Sequence, residues 1–126
     1  MPNMSFGLTQ PQYIADTKDV TRRNGWKHIK IGVIHNAVNK VMGFKRGEHP
    51  TVFGQFIPLS SRWEPLRRMI DEPEYGREEV IREGFPDWTP EQFVAFYCKH
   101  NKCKPETLVN RIEFKQVKQT SFLEER

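Results

Sequence analysis

The sequence predicts a small α+β domain, with a mostly antiparallel, barrel-like sheet and a helical insert. Three observations lead there. Short apolar runs, some with period-two alternation, stand near both ends of the chain. The middle changes to helix signals, with prolines at helix starts and apolar residues at three- and four-residue spacing. The chain has 126 residues, 37% of them apolar, enough for one real core without disulfide staples. Residues 1–126 are therefore read as one domain, with its core over about 5–115 and a polar, frayed tail over 118–126.

Residues 4–8 mix apolar and small side chains and predict a short opening strand. Thr9 is placed to cap a short helix over residues 10–15, with Pro11 acceptable in its first turn. Residues 33–42 and 51–59 predict two further strands, joined by the glycine-flanked basic loop 43–48. Pro58 has no N–H for a ladder, so the second of these lies at an edge or bulges there.

Pro65 opens a helical turn over 66–70, which residues 71–73 break. Residues 77–82 predict a second short helix, stopped by Gly84 and Pro86. Thr89-Pro90-Glu91-Gln92 is the best helix start in the chain: a capping threonine, proline at the first position, and glutamine closing a capping box. Phe93, Phe96, Tyr97 and His100 then share one face. Last, Leu108, Ile112 and Phe114 alternate with Arg111, Glu113 and Lys115, a half-buried closing strand.

One stretch concentrates chemistry. Lys18-Asp19-Val20-Thr21-Arg22-Arg23-Asn24-Gly25-Trp26 holds a lysine, a hydroxyl, two arginines and an indole. Its Asn24-Gly25 pair predicts a tight turn, because both residues tolerate positive φ. Such a donor-rich turn suits a phosphate or a carbonyl oxygen.

Charge is unevenly placed. Net charge is +4, but Lys18 to Arg46 holds eight Lys/Arg against one acid, and Asp71 to Glu91 eight acids against two arginines. Either the basic part faces a polyanion such as nucleic acid, or the two segments face each other and cancel. No apolar run approaches the ~20 residues of a membrane span, so no membrane partner is expected. The first residues show no secretory pattern, and two cysteines read as free thiols point to a reducing, cytoplasmic compartment.

Cys98, His100 and Cys103 are soft ligands, but closed zinc sites take four, commonly from paired motifs, and no second pair exists. No phosphate-binding glycine loop, nucleophile elbow or dinucleotide fingerprint is present. Neither metal nor cofactor is expected.

The chain resembles an ASCH domain (activating signal cointegrator homology), within the PUA-like small β-barrels, and especially the short single-domain versions of bacteria and their phages. The resemblance rests on Lys18-Asp19-Val20-Thr21-Arg22-Arg23, Gly25-Trp26-Lys27, Lys30-Ile31-Gly32, and Met42-Gly43-Phe44-Lys45-Arg46-Gly47-Glu48. It continues in Arg82-Glu83-Gly84-Phe85-Pro86, Thr89-Pro90-Glu91-Gln92-Phe93-Val94, and Arg111-Ile112-Glu113-Phe114. It implies binding of RNA, other single-stranded nucleic acid or a modified nucleoside in a cleft beside the barrel. If the chain is phage-encoded, the compartment is the bacterial host cytosol.

Some small bacterial members are amidohydrolases that remove an acetyl group from N4-acetylcytidine with a lysine, threonine and glutamate triad. By position the resemblance implies Lys18, Thr21 and Glu83 as catalytic residues. Where those enzymes usually carry threonine after the lysine, this chain has Asp19, a carboxylate that would stabilise protonated Lys18. In a regular strand Lys18 and Thr21 point to opposite faces, so catalysis predicts a turn or bulge at residues 19–20.

Binding is the first expectation, with hydrolysis as the alternative to it. Arg22, Arg23, Lys27, Lys45 and Arg46 would hold phosphates, and Trp26, in the turn among them, would stack on an unpaired base. A third possibility is a phage accessory protein that meets a host protein through its acidic 71–91 segment.

Overall fold

The structure, a computed structural model, describes residues 1–118. The frayed tail expected over 118–126 lies, apart from Lys118, outside the described residues.

Among the described residues, five strands form one mixed sheet in the order β1-β3-β4-β5-β2. They are β1 (Asn3–Ser5), β2 (Val20–Arg23), β3 (His35–Val38), β4 (Val52–Pro65) and β5 (Leu108–Gln116). Only β1 and β3 run parallel. The sheet is not closed into a barrel, because β1 and β2 are its two edges. It curls nonetheless, bringing Phe6, just past β1, to 5.5 Å from Phe114 of β5.

The opening strand is shorter than expected. The chain leaves the sheet after Ser5, buries Phe6, and enters a 3-10 turn at Gly7–Thr9. A Cβ on Gly7 would stand 2.5 Å from the Asn39 carbonyl oxygen, so only glycine fits that departure. Helix α1 (Gln10–Ile14) continues directly from this turn. Thr9 therefore makes no capping hydrogen bond, since its backbone is already turned rather than extended. Strand β3 covers only His35–Val38 of the expected 33–42. A register shift at Ala37/Val38 precedes a turn in which the Asn39 side chain accepts from Thr51 N–H.

Strand β4 continues beyond residue 59 to Pro65. It is a central strand, and it accommodates Pro58 by a register shift between Pro58 and Ser60. Pro65 ends β4, and the one-turn helix α2 (Arg68–Asp71) follows. Pro73 opens helix α3 (Pro73–Arg82) rather than breaking one, as its missing N–H costs nothing at a first helical position. Helix α4 (Pro90–Asn101) begins with the expected capping box: Gln92 N–H donates to Thr89 Oγ1 at 3.1 Å, and Thr89 N–H to Gln92 Oε1 at 2.8 Å.

Strand β5 departs from the half-buried alternation, since Val109, Asn110, Arg111 and Ile112 are all buried and Leu108 is exposed. The reason is position. As a central strand it is covered on both faces, and Arg111 reaches a carboxylate of α3. Its side chains divide the interior. Val109 joins the cluster under α2–α4, with Leu66, Met69, Val80, Phe93 and Tyr97. Ile112 and Phe114 join the opposite cluster, with Met4, Phe6, Tyr13 and Phe56. Among the described residues no helix is long and apolar enough to cross a membrane.

Candidate functional site

The two apolar clusters meet at edge strand β2, where a cleft of about 150 Å³ opens. That volume matches a single six-membered ring. Lys18, Thr21 and Glu83 all line it. Phe6 forms one wall, and Phe85, Phe93 and Tyr97 form the other.

Convergence of Lys18 with Thr21 depends on the irregularity expected at residues 19–20. Phe114 N–H donates to Asp19 O at 3.0 Å, but the Asp19 N–H turns out of the ladder to the carbonyl of Arg82, at 2.9 Å. Regular pairing begins only at Val20. Lys18 is thereby released from strand geometry and aims at the C-terminal end of α3. There Lys18 Nζ donates to Glu83 Oε1 at 2.6 Å and to the Glu83 carbonyl at 3.0 Å. The Asp19 carboxylate is taken by Arg82, with Nε–Oδ1 at 3.0 Å and Nη2–Oδ2 at 3.1 Å.

Glu83 is held in turn by Gly84. This glycine has φ +100°, and a Cβ there would lie 2.7 Å from Gln12 Cβ and Cγ. A left-handed residue of this kind stops α3 where its last carboxylate meets Lys18.

Beneath the cleft lies an ion network. Strand pairing sets Arg22 opposite Arg111, on the face covered by α3. Arg22 donates to Glu83 Oε2 at 2.9 Å, to Glu79 Oε1 at 2.6 Å and to Glu64 Oε2 at 3.4 Å. Arg111 donates to both oxygens of Glu79. Tyr75 adds its hydroxyl to Glu64 at 2.7 Å. Three buried cations, Lys18, Arg22 and Arg111, thus meet three buried carboxylates, Glu64, Glu79 and Glu83. So the basic and acidic segments do face each other at Lys18, Arg22, Glu79 and Glu83.

The electrostatics follow from that burial. Desolvation pulls the Lys18 ammonium below its ordinary value, against the raising effect of Glu83 and helped by Arg23 and Arg22. Burial alone would raise Glu79, but hydrogen bonds and charge from Arg111 and Arg22 reverse this and hold it at about 2. Burial also pushes the Tyr97 phenol up, and its hydroxyl donates to Asn24 Oδ1 at 2.7 Å.

The other expected binding residues lie elsewhere. Arg22 is buried with its terminal nitrogens on Glu64, Glu79 and Glu83 and its Nε without a hydrogen-bond partner among the described residues, so it does not face solvent as a phosphate contact would. Arg23 lines the cleft. Trp26 does not. It lines a separate shallow pocket with His28, Ile29 and His35, its ring 5.9 Å from that of His35. Trp26, rather than Asn24 or Gly25, takes the positive φ of the turn, at 63°, and its carbonyl is fixed by Asn110 Nδ2 at 3.1 Å. Lys27, Lys45 and Arg46 are exposed and outside the cleft lining. Cys98 and Cys103 have their sulfurs 4.0 Å apart, and no three His, Cys, Asp or Glu groups converge as metal ligands among the described residues.

Sequence reasoning missed Glu79 and Arg111 as the support of the site. It also missed Phe6, Phe85 and Tyr97 as its walls. The Phe93/Tyr97 spacing on α4 was the available signal, and it reads equally as core. No family model matches the chain, and no curated protein or solved structure is detectably similar to it.

Proposed function

We propose that the cleft captures a single modified nucleobase and that Lys18, Thr21 and Glu83 hydrolyse an N4-acyl amide on it. The observation that carries this reading is the meeting of Lys18 and Thr21, from one stretch, with the remote Glu83 on one ring-sized cleft. Aromatic walls suit a planar ligand. Burial lowers the Lys18 pKa below its ordinary value, which is the direction a general base needs.

The neutral Lys18 amine takes the Thr21 hydroxyl proton as Thr21 Oγ1 attacks the acyl carbonyl. The tetrahedral intermediate collapses with cleavage of the C–N bond, and the Lys18 ammonium gives its proton to the leaving 4-amino nitrogen. Water, deprotonated by Lys18, then attacks the threonyl ester; the ester C–O bond breaks, Lys18 returns the proton to Thr21 Oγ1, and the acid leaves as its carboxylate with its proton lost to solvent. Glu83 orients Lys18 and balances its charge when protonated. The remaining basic side chains, Lys27, Lys45 and Arg46, would serve only a nucleoside embedded in a strand.

The test is incubation with N4-acetylcytidine, with cytidine followed by chromatography, beside Lys18→Ala, Thr21→Val and Glu83→Ala. Cytidine release by the parent, lost in folded variants, supports the reading. No release with N4-acetylcytidine or with other N4-acyl cytidines overturns it.

A further inference from the structure

Arg23 is the cation left over from the ion network. Lys18, Arg22 and Arg111 each have a carboxylate within ion-pair distance, whereas Arg23 has none among the described residues. Its guanidinium lies over the Phe6 ring, 4.9 Å from the centroid. Its Nε donates to Thr21 Oγ1 at 3.0 Å. No other protein acceptor for its terminal nitrogens is found among the described residues.

That position is fixed by register. Arg23 and Thr21 are two apart on β2, opposite Asn110 and Ile112, so both turn to the face opposite that of Arg22. Arg22, between them, turns toward α3 and takes Glu64, Glu79 and Glu83. The local sequence thus directs one arginine into the support and the next into the cleft.

A half-buried guanidinium without a carboxylate is less well solvated than one in water, and an anion would offset that cost. Burial pulls Arg23 down to about 10, with Glu83 and Tyr97 opposing, so it remains charged at neutral pH. The planar donor edge matches a carboxylate or an oxyanion.

We propose that Arg23 is the anion receptor of the cleft, binding a carboxylate or the developing oxyanion of an acyl group beside Thr21. The inference extends the amidohydrolase reading, since both the tetrahedral intermediate and the released acid place negative charge on oxygen next to Thr21. Its binding part stands without that reading. The guanidinium would also draw the Thr21 hydroxyl toward ionisation by donating to its oxygen through Nε.

The test has a binding arm and a kinetic arm. In the first, sodium acetate is titrated against the full chain, with sodium chloride at equal ionic strength as control and binding read by NMR shift perturbation at Thr21 and Arg23. Arg23→Gln and Arg23→Met are run alongside, the second keeping an unbranched stem over Phe6 if the first fails to fold. Saturable acetate binding, weakened at least about tenfold in the folded neutral variants, supports the receptor. Acetate binding that is absent from the parent, or unchanged in both variants, overturns it.

In the kinetic arm, N4-acetylcytidine distinguishes the two anions. A kcat lower by about 10²–10³ with KM little changed assigns Arg23 to the oxyanion. A raised KM for substrates with an acyl carboxylate, such as N4-succinylcytidine, assigns it to a ground-state carboxylate. Acetate bound without any hydrolysis keeps the receptor and removes only the reaction.

Discussion

Lys18 Nζ and Glu83 Oε1 lie 2.6 Å apart although 65 residues separate them, and the same ammonium also bonds the Glu83 backbone carbonyl at 3.0 Å. The two ends of this contact are unequal. Glu83 has a second cation in Arg22, whereas among the described residues Lys18 has Glu83 as its one carboxylate. Glu83→Gln is therefore expected to destabilise by about 3–5 kcal/mol, because it strips charge from two buried cations. Lys18→Met should cost less, about 1.5–3 kcal/mol. Urea denaturation checks the order, and a Lys18→Met variant less stable than Glu83→Gln would contradict this account of the network.

Lys18 also sets a pH dependence. Burial favours its neutral amine, so activity requiring that amine should fall as pH drops through a value below the ordinary lysine 10.5. The profile of kcat/KM against pH is expected to show this acid-side limb. A limb at the ordinary lysine value would remove Lys18 from the role of base.

Glu79 predicts the acid limb of stability. Its folded carboxyl is held at about 2, below the ordinary 4.5. The stabilisation is present above the unfolded value and is lost as pH falls from about 4.5 toward about 2. Glu79→Gln should lower stability at pH 7 and flatten that decline. Denaturation midpoints at several pH values test it, and an equally steep decline in the variant would count against Glu79.

Gly84→Ala tests the placement of Glu83. The positive φ and the 2.7 Å approach to Gln12 both oppose a Cβ. A loss of about 1–3 kcal/mol is expected, with weakened turnover even where the variant is folded. A variant as stable and as active as the parent would show that the α3 terminus has slack.

Thr89→Ala should cost about 1 kcal/mol by removing one half of the α4 capping box. Thermal melts will detect it. Turnover at temperatures below the transition should be kept, because Thr89 does not line the cleft.

Sequence legibility followed the range of the forces involved. The capping box of α4 depends on neighbours three residues apart, and it was readable. The Pro58 bulge was half readable, since proline forbids a ladder bond but does not say whether its strand is central. Arg111 was misjudged as an exposed strand residue, because its partner Glu79 lies 32 residues away. Arg22 and Arg23 look identical in the chain, and only the pairing of β2 with β5 sends them to opposite faces. Trp26 was placed with the basic residues by proximity in sequence, yet Asn110 anchors its turn elsewhere. The irregularity at Asp19 was anticipated from the need for Lys18 and Thr21 to meet. Its cause, the Arg82 carbonyl, was not visible in the sequence.

The division of the interior into two apolar clusters has a consequence for motion. Phe6 belongs to one cluster and Phe85, Phe93 and Tyr97 to the other, and the cleft is the joint between them. Regions with separate interiors can open separately, each with its own local free energy. An occupant wedged in the joint touches both, so it would make their fluctuations rise and fall together. Amide hydrogen exchange should then slow on α4 and around β1 in concert as the cleft fills, in proportion to occupancy.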